Sequence, residues 1–365
     1  MKVRKFMLLI AAALIAVVTL VVTGTSSARP AASAASTASP AVSSATAQTP
    51  YKVALVTDVG GLDDRSFNFL ANKGLTQAKT KLRVQGRVFL SKQSSDYIPN
   101  LSTAARQGYN LVIGVGFLMA EALATVAKAF PNTKFAIIDN SGLAKGLKGN
   151  PTNVRGLLFR EQEAGYLVGY LAAKQITAKP FGGNLMLGAV GGVKIPPVDR
   201  FIAGYYEGAK KANPKVKVVH AYSQDFVDQA KCKEQALNMI ANGAGAVFQV
   251  AGNCGLGVLS AAKERGVFGI GVDADQGYLG QHVMTSATKK VDVAVYGTIA
   301  AGKRLGAKLP TNRDVIFNVK SGGVGYGKIS NRIAPALKLQ VAAIQRQIVS
   351  GKIVVRAQTP PATTG

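Results

Sequence analysis

From Tyr51 onward, short runs rich in Val, Ile and Leu alternate with longer stretches whose apolar positions recur at helical spacing. The strand candidates are Val53–Thr57, Gly86–Leu90, Leu111–Val115, Lys134–Ile138, Val154–Phe159, Leu185–Val190, Val216–Ala221, Ala246–Val250, Phe268–Val272, Val283–Ser286 and Val315–Val319. Glu161 to Lys174, Glu-Gln-Glu-Ala-Gly-Tyr-Leu-Val-Gly-Tyr-Leu-Ala-Ala-Lys, is a clear intervening helix. Near-continuous aliphatic strands separated by helices predict parallel sheets covered on both faces. The strands are too many for one sheet of ordinary size, so the pattern predicts an α/β chain with two doubly wound lobes. No Pro/Gly-rich linker separates two halves, which predicts that the chain crosses between lobes more than once. The expected division is 51–160 with about 275–315 for lobe 1, and 161–274 with about 316–355 for lobe 2. Residues 356–365 are read as a tail.

One segment carries more chemistry than the rest. In Val53-Ala-Leu-Val-Thr-Asp58-Val-Gly60-Gly61-Leu-Asp63-Asp64-Arg65-Ser66-Phe67-Asn68 a buried strand is followed by an acid and two glycines, and Ser-Phe-Asn then opens a helix. Open α/β sheets bind ligands outside the carboxyl ends of their strands. Asp58, Phe67 and Asn68 are therefore expected to face a small polar molecule, with Asp63 and Asp64 shaping the turn. Asp139 and Asp273 also follow predicted strands. The structural alternatives are that Asp58 and Asp139 cap the following helices, that Phe67 and Phe226 are ordinary core residues, and that Lys289 is a solvated helix-start residue.

Outside the lobes the composition changes. Lys2, Arg4 and Lys5 precede the run Phe6–Val22, apolar apart from Thr19, the pattern of an export signal. At 17 residues the run is just long enough to remain as an anchor. Residues 1–28 are accordingly read as an export signal, cleaved or kept, and 29–50, almost wholly Ala, Ser, Thr and Pro, as a disordered tether. No Cys adjoins the run, which excludes lipobox attachment. The expected location is extracytoplasmic, in the cell envelope or at the membrane. The net charge is +26; residues 1–29 hold four of the 44 basic residues and none of the 18 acidic, so 40 against 18, or +22, remain on the rest. These cations are dispersed and not interleaved with aromatics, so peripheral association with an anionic membrane or envelope is expected, and nucleic acid is not. Cys232 is expected in the first turn of a helix over Phe226–Ala241, and Cys254 just past the next strand. Both fall at the carboxyl edge of one sheet, which permits a disulfide contributing roughly 3 kcal/mol in an oxidising compartment; two unpaired buried thiols are the alternative.

Taken together and in order, several segments resemble the basic membrane protein family of bacterial ABC-transporter substrate-binding proteins, which includes purine-nucleoside receptors. They are Thr57-Asp-Val-Gly-Gly-Leu-Asp-Asp-Arg-Ser-Phe-Asn68, Gly114-Val-Gly-Phe-Leu-Met119, Phe135-Ala-Ile-Ile-Asp139, Phe159-Arg-Glu-Gln-Glu-Ala-Gly-Tyr-Leu-Val-Gly169, Gly191-Gly-Val-Lys-Ile-Pro-Pro197, Phe201-Ile-Ala-Gly-Tyr205, Val247-Phe-Gln-Val-Ala-Gly252, Gly271-Val-Asp-Ala-Asp-Gln276 and Thr285-Ser-Ala-Thr-Lys289. The resemblance implies a periplasmic-binding-protein fold of the first type, hinged and closing on its ligand. It also implies that two Phe rings sandwich a nucleoside base while acidic, amide, Gly and Lys groups hold its polar edge and ribose. Carried over residue by residue, the rings are Phe67 and Phe226, the base-edge pair is Asp58 and Asn68, and the ribose groups are Asp139, Gly192, Asp273 and Lys289. Asp275 and Lys290 are the alternative registers for the last two. The implied partner is an ABC permease receiving the captured nucleoside, purine favoured. A ligand sensor of the same fold, or a receptor for a sugar or other metabolite, is the alternative.

Other chemistries find little support. Gly322-Gly-Val-Gly-Tyr-Gly327-Lys328-Ile329 nearly spells a phosphate loop, but Ile329 stands where a Mg²⁺-binding hydroxyl is required, so a glycine-rich turn near the hinge is expected. Asp58, Asp63 and Asp64 lack calcium-loop spacing, and Arg65 lies beside them. His220 and His282 are isolated from the cysteines and no nucleophile elbow is present. No enzyme, cofactor or metal is expected.

Overall fold

The computed structural model describes residues 49–356 and 358–361. The segments expected to be an export signal and a tether, up to Gln48, together with Ala357 and residues 362–365, lie outside the described residues. In chain order the elements are β1 (Lys52–Val56), α1 (Phe67–Leu82), β2 (Gln85–Phe89), α2 (Tyr97–Arg106), β3 (Leu111–Gly114), α3 (Ala120–Ala129), β4 (Lys134–Ile138), β5 (Val154–Phe159), α4 (Glu161–Ala178), β6 (Met186–Gly191), α5 (Pro196–Ala212), β7 (Lys217–Tyr222), α6 (Gln229–Ala241), β8 (Ala244–Val250), α7 (Gly255–Glu264), β9 (Phe268–Asp273), β10 (Val283–Lys289), α8 (Val291–Leu305), β11 (Arg313–Phe317), β12 (Val324–Tyr326) and α9 (Pro335–Val349).

Two six-stranded sheets form the lobes, in the orders β11-β5-β4-β3-β1-β2 and β12-β10-β9-β8-β6-β7. The first five strands of each repeat one winding pattern, so β1, β3 and β4 correspond to β6, β8 and β9. All strand pairs are parallel except β10 with β12. The order reverses between β1 and β3, and between β6 and β8; such switch points open a crevice at the strand carboxyl ends. The alternation of aliphatic strands and helices thus produces the two-lobed α/β architecture that it predicts.

The lobe boundary differs from the expected one. The return to lobe 1 is expected near residue 275, yet β10 pairs with β9 and β12 in the second sheet. The nine residues between β9 and β10 hold no α-helix to signal a same-sheet crossover. The chain returns only after Lys289, where α8 packs on α1. Crossings lie at 159–161, 289–291 and 317–324. A second difference concerns Gly322–Ile329, expected as a turn: Val324–Tyr326 instead pairs with the β10 edge, Gly325 lying opposite Thr288. A third is the start of α6. Asp225 accepts from the Val227 and Asp228 amides, and Asp228 caps the helix at Ala230, so Phe226 belongs to a loop rather than to the helix. Cys232 and Cys254 are disulfide-bonded, joining α6 to the start of α7.

Three apolar clusters hold the layers together. One lies between the first sheet and α2/α3, one between the second sheet and α6/α7, and the largest runs continuously over the remaining faces of both lobes. Within the last, α4 and α5 approach backbone to backbone. A Cβ at Gly204 would overlap the carbonyl oxygen of Gln162, and one at Gly208 that of Tyr166; Gly165 and Gly169 meet the Phe201 and Tyr205 carbonyls in the same way. This contact brings Glu161 on α4 within reach of Arg200 on α5. A methyl at Gly204 has no flexible neighbour to displace, so Gly204→Ala is expected to cost roughly 1–3 kcal/mol by overpacking. Urea unfolding measures this, and a loss within error of zero would contradict the close helix contact.

Candidate functional site

Both switch points open onto one cavity between the lobes. The space amounts to about 610 Å³, including the part continuous with solvent, within the range of small-molecule sites. Asp58, Asp64, Phe67, Asn68, Gly116 and Asp139 line it from lobe 1; Phe201, Phe226, Val250, Gly252, Asp273 and Lys289 are among those lining it from lobe 2.

The lobe 1 wall is a braced turn. Asp64 caps α1, its oxygens accepting the backbone N–H groups of Ser66 (3.0 Å), Asn68 (2.7 Å) and Phe69 (3.0 Å). The capping role considered for Asp58 therefore belongs to Asp64. Asn68 accepts from the Asp58 amide at 2.9 Å and donates to Asp64 at 3.2 Å, so most of its hydrogen-bonding capacity holds the turn in shape. Asp58 Oδ1 accepts from the Val59 amide and the Tyr97 hydroxyl. Its Oδ2 lies beside the Cα of Gly116, where a Cβ would collide with it. Burial pushes the carboxyl of Asp58 up, against the lowering effect of the Tyr97 bond. Phe67 remains partly exposed at the start of α1 and forms part of the cavity wall.

Two carboxylates occupy matching places in the two sheets. Asp139 follows β4 and Asp273 ends β9, and both residues adopt left-handed backbone, with φ of 72° and 58°. Asp tolerates this conformation better than most residues, and at both strand ends it places the side chain at the cavity. Burial dominates their titration: it pushes Asp139 up to about 6, partly offset by Lys289, and Asp273 up to about 7. Asp273 Oδ2 accepts from the hydroxyl of Ser66 at 2.8 Å. Ser66 precedes α1, so this bond joins the lobes directly across the cleft.

Phe226 comes from the loop before α6. Its ring lies against the backbone of Gly192, leaving no room for a Cβ there. Gly192 does not line the cavity; it is the shelf on which the ring rests. Asp275 and Lys290 stay outside: Asp275 accepts from the Gly277 and Lys328 amides, and Lys290 is exposed.

Lys289 is the centre of the arrangement. Its residue is 2% exposed, and its amine lies 2.6 and 2.7 Å from the two oxygens of Asp139 and 3.0 Å from Glu161 Oε1. Glu161 Oε2 in turn accepts from Arg200 Nε at 2.7 Å. The rings of Phe67, Phe159 and Phe201 surround the amine, with centroids 5.1, 4.9 and 5.9 Å away. The chain Asp139–Lys289–Glu161–Arg200 alternates in sign and sums to zero. The lysine expected as either a ligand group or a solvated helix-start residue thus lies at the cavity, yet is already neutralised. The pattern of apolar runs gave no sign of Ser66, Tyr97, Glu161 or Arg200 as partners, because each acts on a group brought in from a distant element.

Comparison with known proteins follows the same outline. Residues 51–359 match the family model described as ABC transporter substrate-binding protein PnrA-like. A relative named ABC transporter nucleoside-binding protein BmpA, from Lactococcus lactis, is 34% identical over 330 residues, covering 84% of this chain and 90% of that one. Basic membrane protein A1 of Borrelia garinii is 31% identical over 312 residues, 83% of this chain and 88% of the relative. Among solved structures, an ABC-transporter solute-binding protein of Aeropyrum pernix superposes with a TM-score of 0.74 at 30% identity, covering 84% of this chain and 94% of its own.

Removing the amine while keeping the volume leaves Asp139 and Glu161 buried without it. Lys289→Met is therefore expected to cost about 3–5 kcal/mol, read by chemical denaturation at neutral pH. A loss below about 1 kcal/mol would contradict the ion-pair geometry.

Proposed function

Because the chain belongs to the Bmp family of PnrA-like ABC-transporter substrate-binding proteins, we propose that it captures an uncharged nucleoside, purine favoured, and delivers it to an ABC permease. The base lies between Phe67 and Phe226, rings carried by opposite lobes. Asp58 and the remaining N–H of Asn68 meet its polar edge, and Asp139 and Asp273, with Lys289 beside them, meet the ribose hydroxyls. Gly192 supports the second ring and needs no ligand contact of its own.

The observation that carries this reading is the charge of the wall. Four carboxylates line the cavity, and its one lysine is already engaged by Asp139 and Glu161. Hydroxyl and ring N–H donors suit such a wall; a phosphate meets only like charge. Two π-faces with acceptor groups between them match a heteroaromatic base bearing a sugar, and stacking is worth about 1–3 kcal/mol per base. The Lactococcus relative, called nucleoside-binding, supports the same ligand class.

The raised carboxyls also supply a reason for closure to depend on ligand. Burial opposes ionisation of Asp273 until pH rises through about 7, whereas ionised Asp139 is held by Lys289 across the same cleft. A ligand that donates hydrogen bonds to both restores the balance.

Calorimetric titration of the full-length protein tests the assignment. Purine nucleosides should bind, their 5′-monophosphates should bind at least a hundredfold more weakly, and Phe67→Ala and Phe226→Ala should each lose about tenfold or more. Binding of a sugar without any nucleoside heat would overturn the reading. Affinity should hold above about pH 7 and fall as Asp273 and then Asp139 take up protons, with the upper step absent in Asp273→Asn. A flat wild-type profile between pH 5 and 8 would remove these carboxylates from the ligand contacts.

A further inference from the structure

Lobe 1 carries opposite charges at its two ends. The segments at the end away from the cleft, residues 79–87, 103–111, 126–135, 147–155 and 300–313, contain many Lys and Arg but no Asp or Glu. Lys79, Lys81 and Arg83 lie at the C-terminal end of α1, and Lys303, Arg304 and Lys308 at that of α8; all six are exposed. The two helices run parallel. Lys73, midway along α1, pairs with Asp292 at the start of α8, and Lys303 donates to the Leu82 carbonyl at their ends. The six cations therefore lie at one end of this helix pair, and among the described residues none of them joins an ion pair. Apart from Asp314 in β11 and Glu121 of α3, which pairs with Lys148 of the fourth basic segment, the acidic residues of lobe 1 sit at the cleft end, after strands or at helix starts. Helix dipoles favour a cation or two in each last turn; they do not explain why no acid accompanies them.

The chain joins the fold at this same end. Tyr51 packs against Gly302, directly before Lys303, and β1 begins at Lys52. Upstream in sequence lie Lys2, Arg4, Lys5 and the apolar run Phe6–Val22, the features of a segment addressed to a membrane.

We propose that the end of lobe 1 built from the C-termini of α1 and α8 is a docking face for an anionic lipid bilayer. Lysines and arginines near an anionic surface are attracted additively within a Debye length. Contact through this end leaves the cleft, at the opposite end of the lobe, clear of the headgroups. The inference rests on the extracytoplasmic reading of the chain and is independent of which solute the cleft takes.

Co-sedimentation of the full-length protein with vesicles tests it. Vesicles of phosphatidylcholine mixed with phosphatidylglycerol should bind about tenfold more protein than pure phosphatidylcholine at low salt, and the excess should vanish in high salt. The variant Lys81→Glu/Arg83→Glu/Arg304→Glu/Lys308→Glu should lose the excess. A control reversing the same number of charges on lobe 2, Lys210→Glu/Lys211→Glu/Lys215→Glu/Lys217→Glu, should keep most of it. Should reversal at lobe 1 perturb folding, the corresponding Gln substitutions carry the same expectation at smaller amplitude. Equal losses in the two reversed variants would assign the attraction to net charge and overturn the proposal, as would equal binding to neutral and anionic vesicles. Binding to a soluble polyphosphate with no preference for anionic vesicles would assign the face to an envelope polymer instead. Solute titration of the same variants separates the two readings: a failed nucleoside titration with intact vesicle selectivity counts only against the ligand assignment.

Discussion

The arrangement depends on one buried amine. Lys289 ends a strand of lobe 2, contacts Asp139 of lobe 1, and touches Glu161 where the chain first crosses between lobes. Desolvation offsets most of the attraction in such a pair, so its net contribution to stability is small. What it sets is alignment: the amine has one place where both carboxylates and three aromatic faces surround it. A relative shift of the lobes separates the amine from Asp139 and leaves both charges without their partner. Arg200 completes the chain of charges, and the glycine contact between α4 and α5 holds Arg200 in place.

Around this centre the two lobes repeat one design. Equivalent strand ends supply Asp139 and Asp273 in the same left-handed conformation, and equivalent switch points supply Gly116 and Gly252 at the cavity wall. The difference between lobes lies at β1 and β6. One leads to an acid, Asp58; the other leads into Gly192, which makes space for the ring of Phe226. A near-symmetric frame thereby yields a ring and an acid from one side and a ring and an acid from the other.

Much of the fold could be read from the alternation of aliphatic strands and helices, because parallel strands buried on both faces leave a strong pattern. The lining of the cavity could be read where a residue follows its strand directly, as Asp58, Asp139 and Asp273 do. The boundary lies beyond the expected 275 because a short helix-free link carries β9 into β10. The hydrophobic spacing predicts Phe226 on a helix because the local Asp225 and Asp228 hydrogen bonds, which delay that helix, do not alter it. Ser66 and Glu161 were invisible for a different reason. Their partners Asp273 and Lys289 lie 207 and 128 residues away, and no local pattern encodes a contact that only the closed pair of lobes creates.

We propose that the lobes close over an uncharged ring-bearing solute held by carboxylates from both sides. Native mass spectrometry of the protein purified without added ligand tests it most directly. An added mass equal to that of a nucleoside is expected, lost on denaturation and absent from Asp273→Asn. A bound phosphorylated compound or a simple sugar would contradict it.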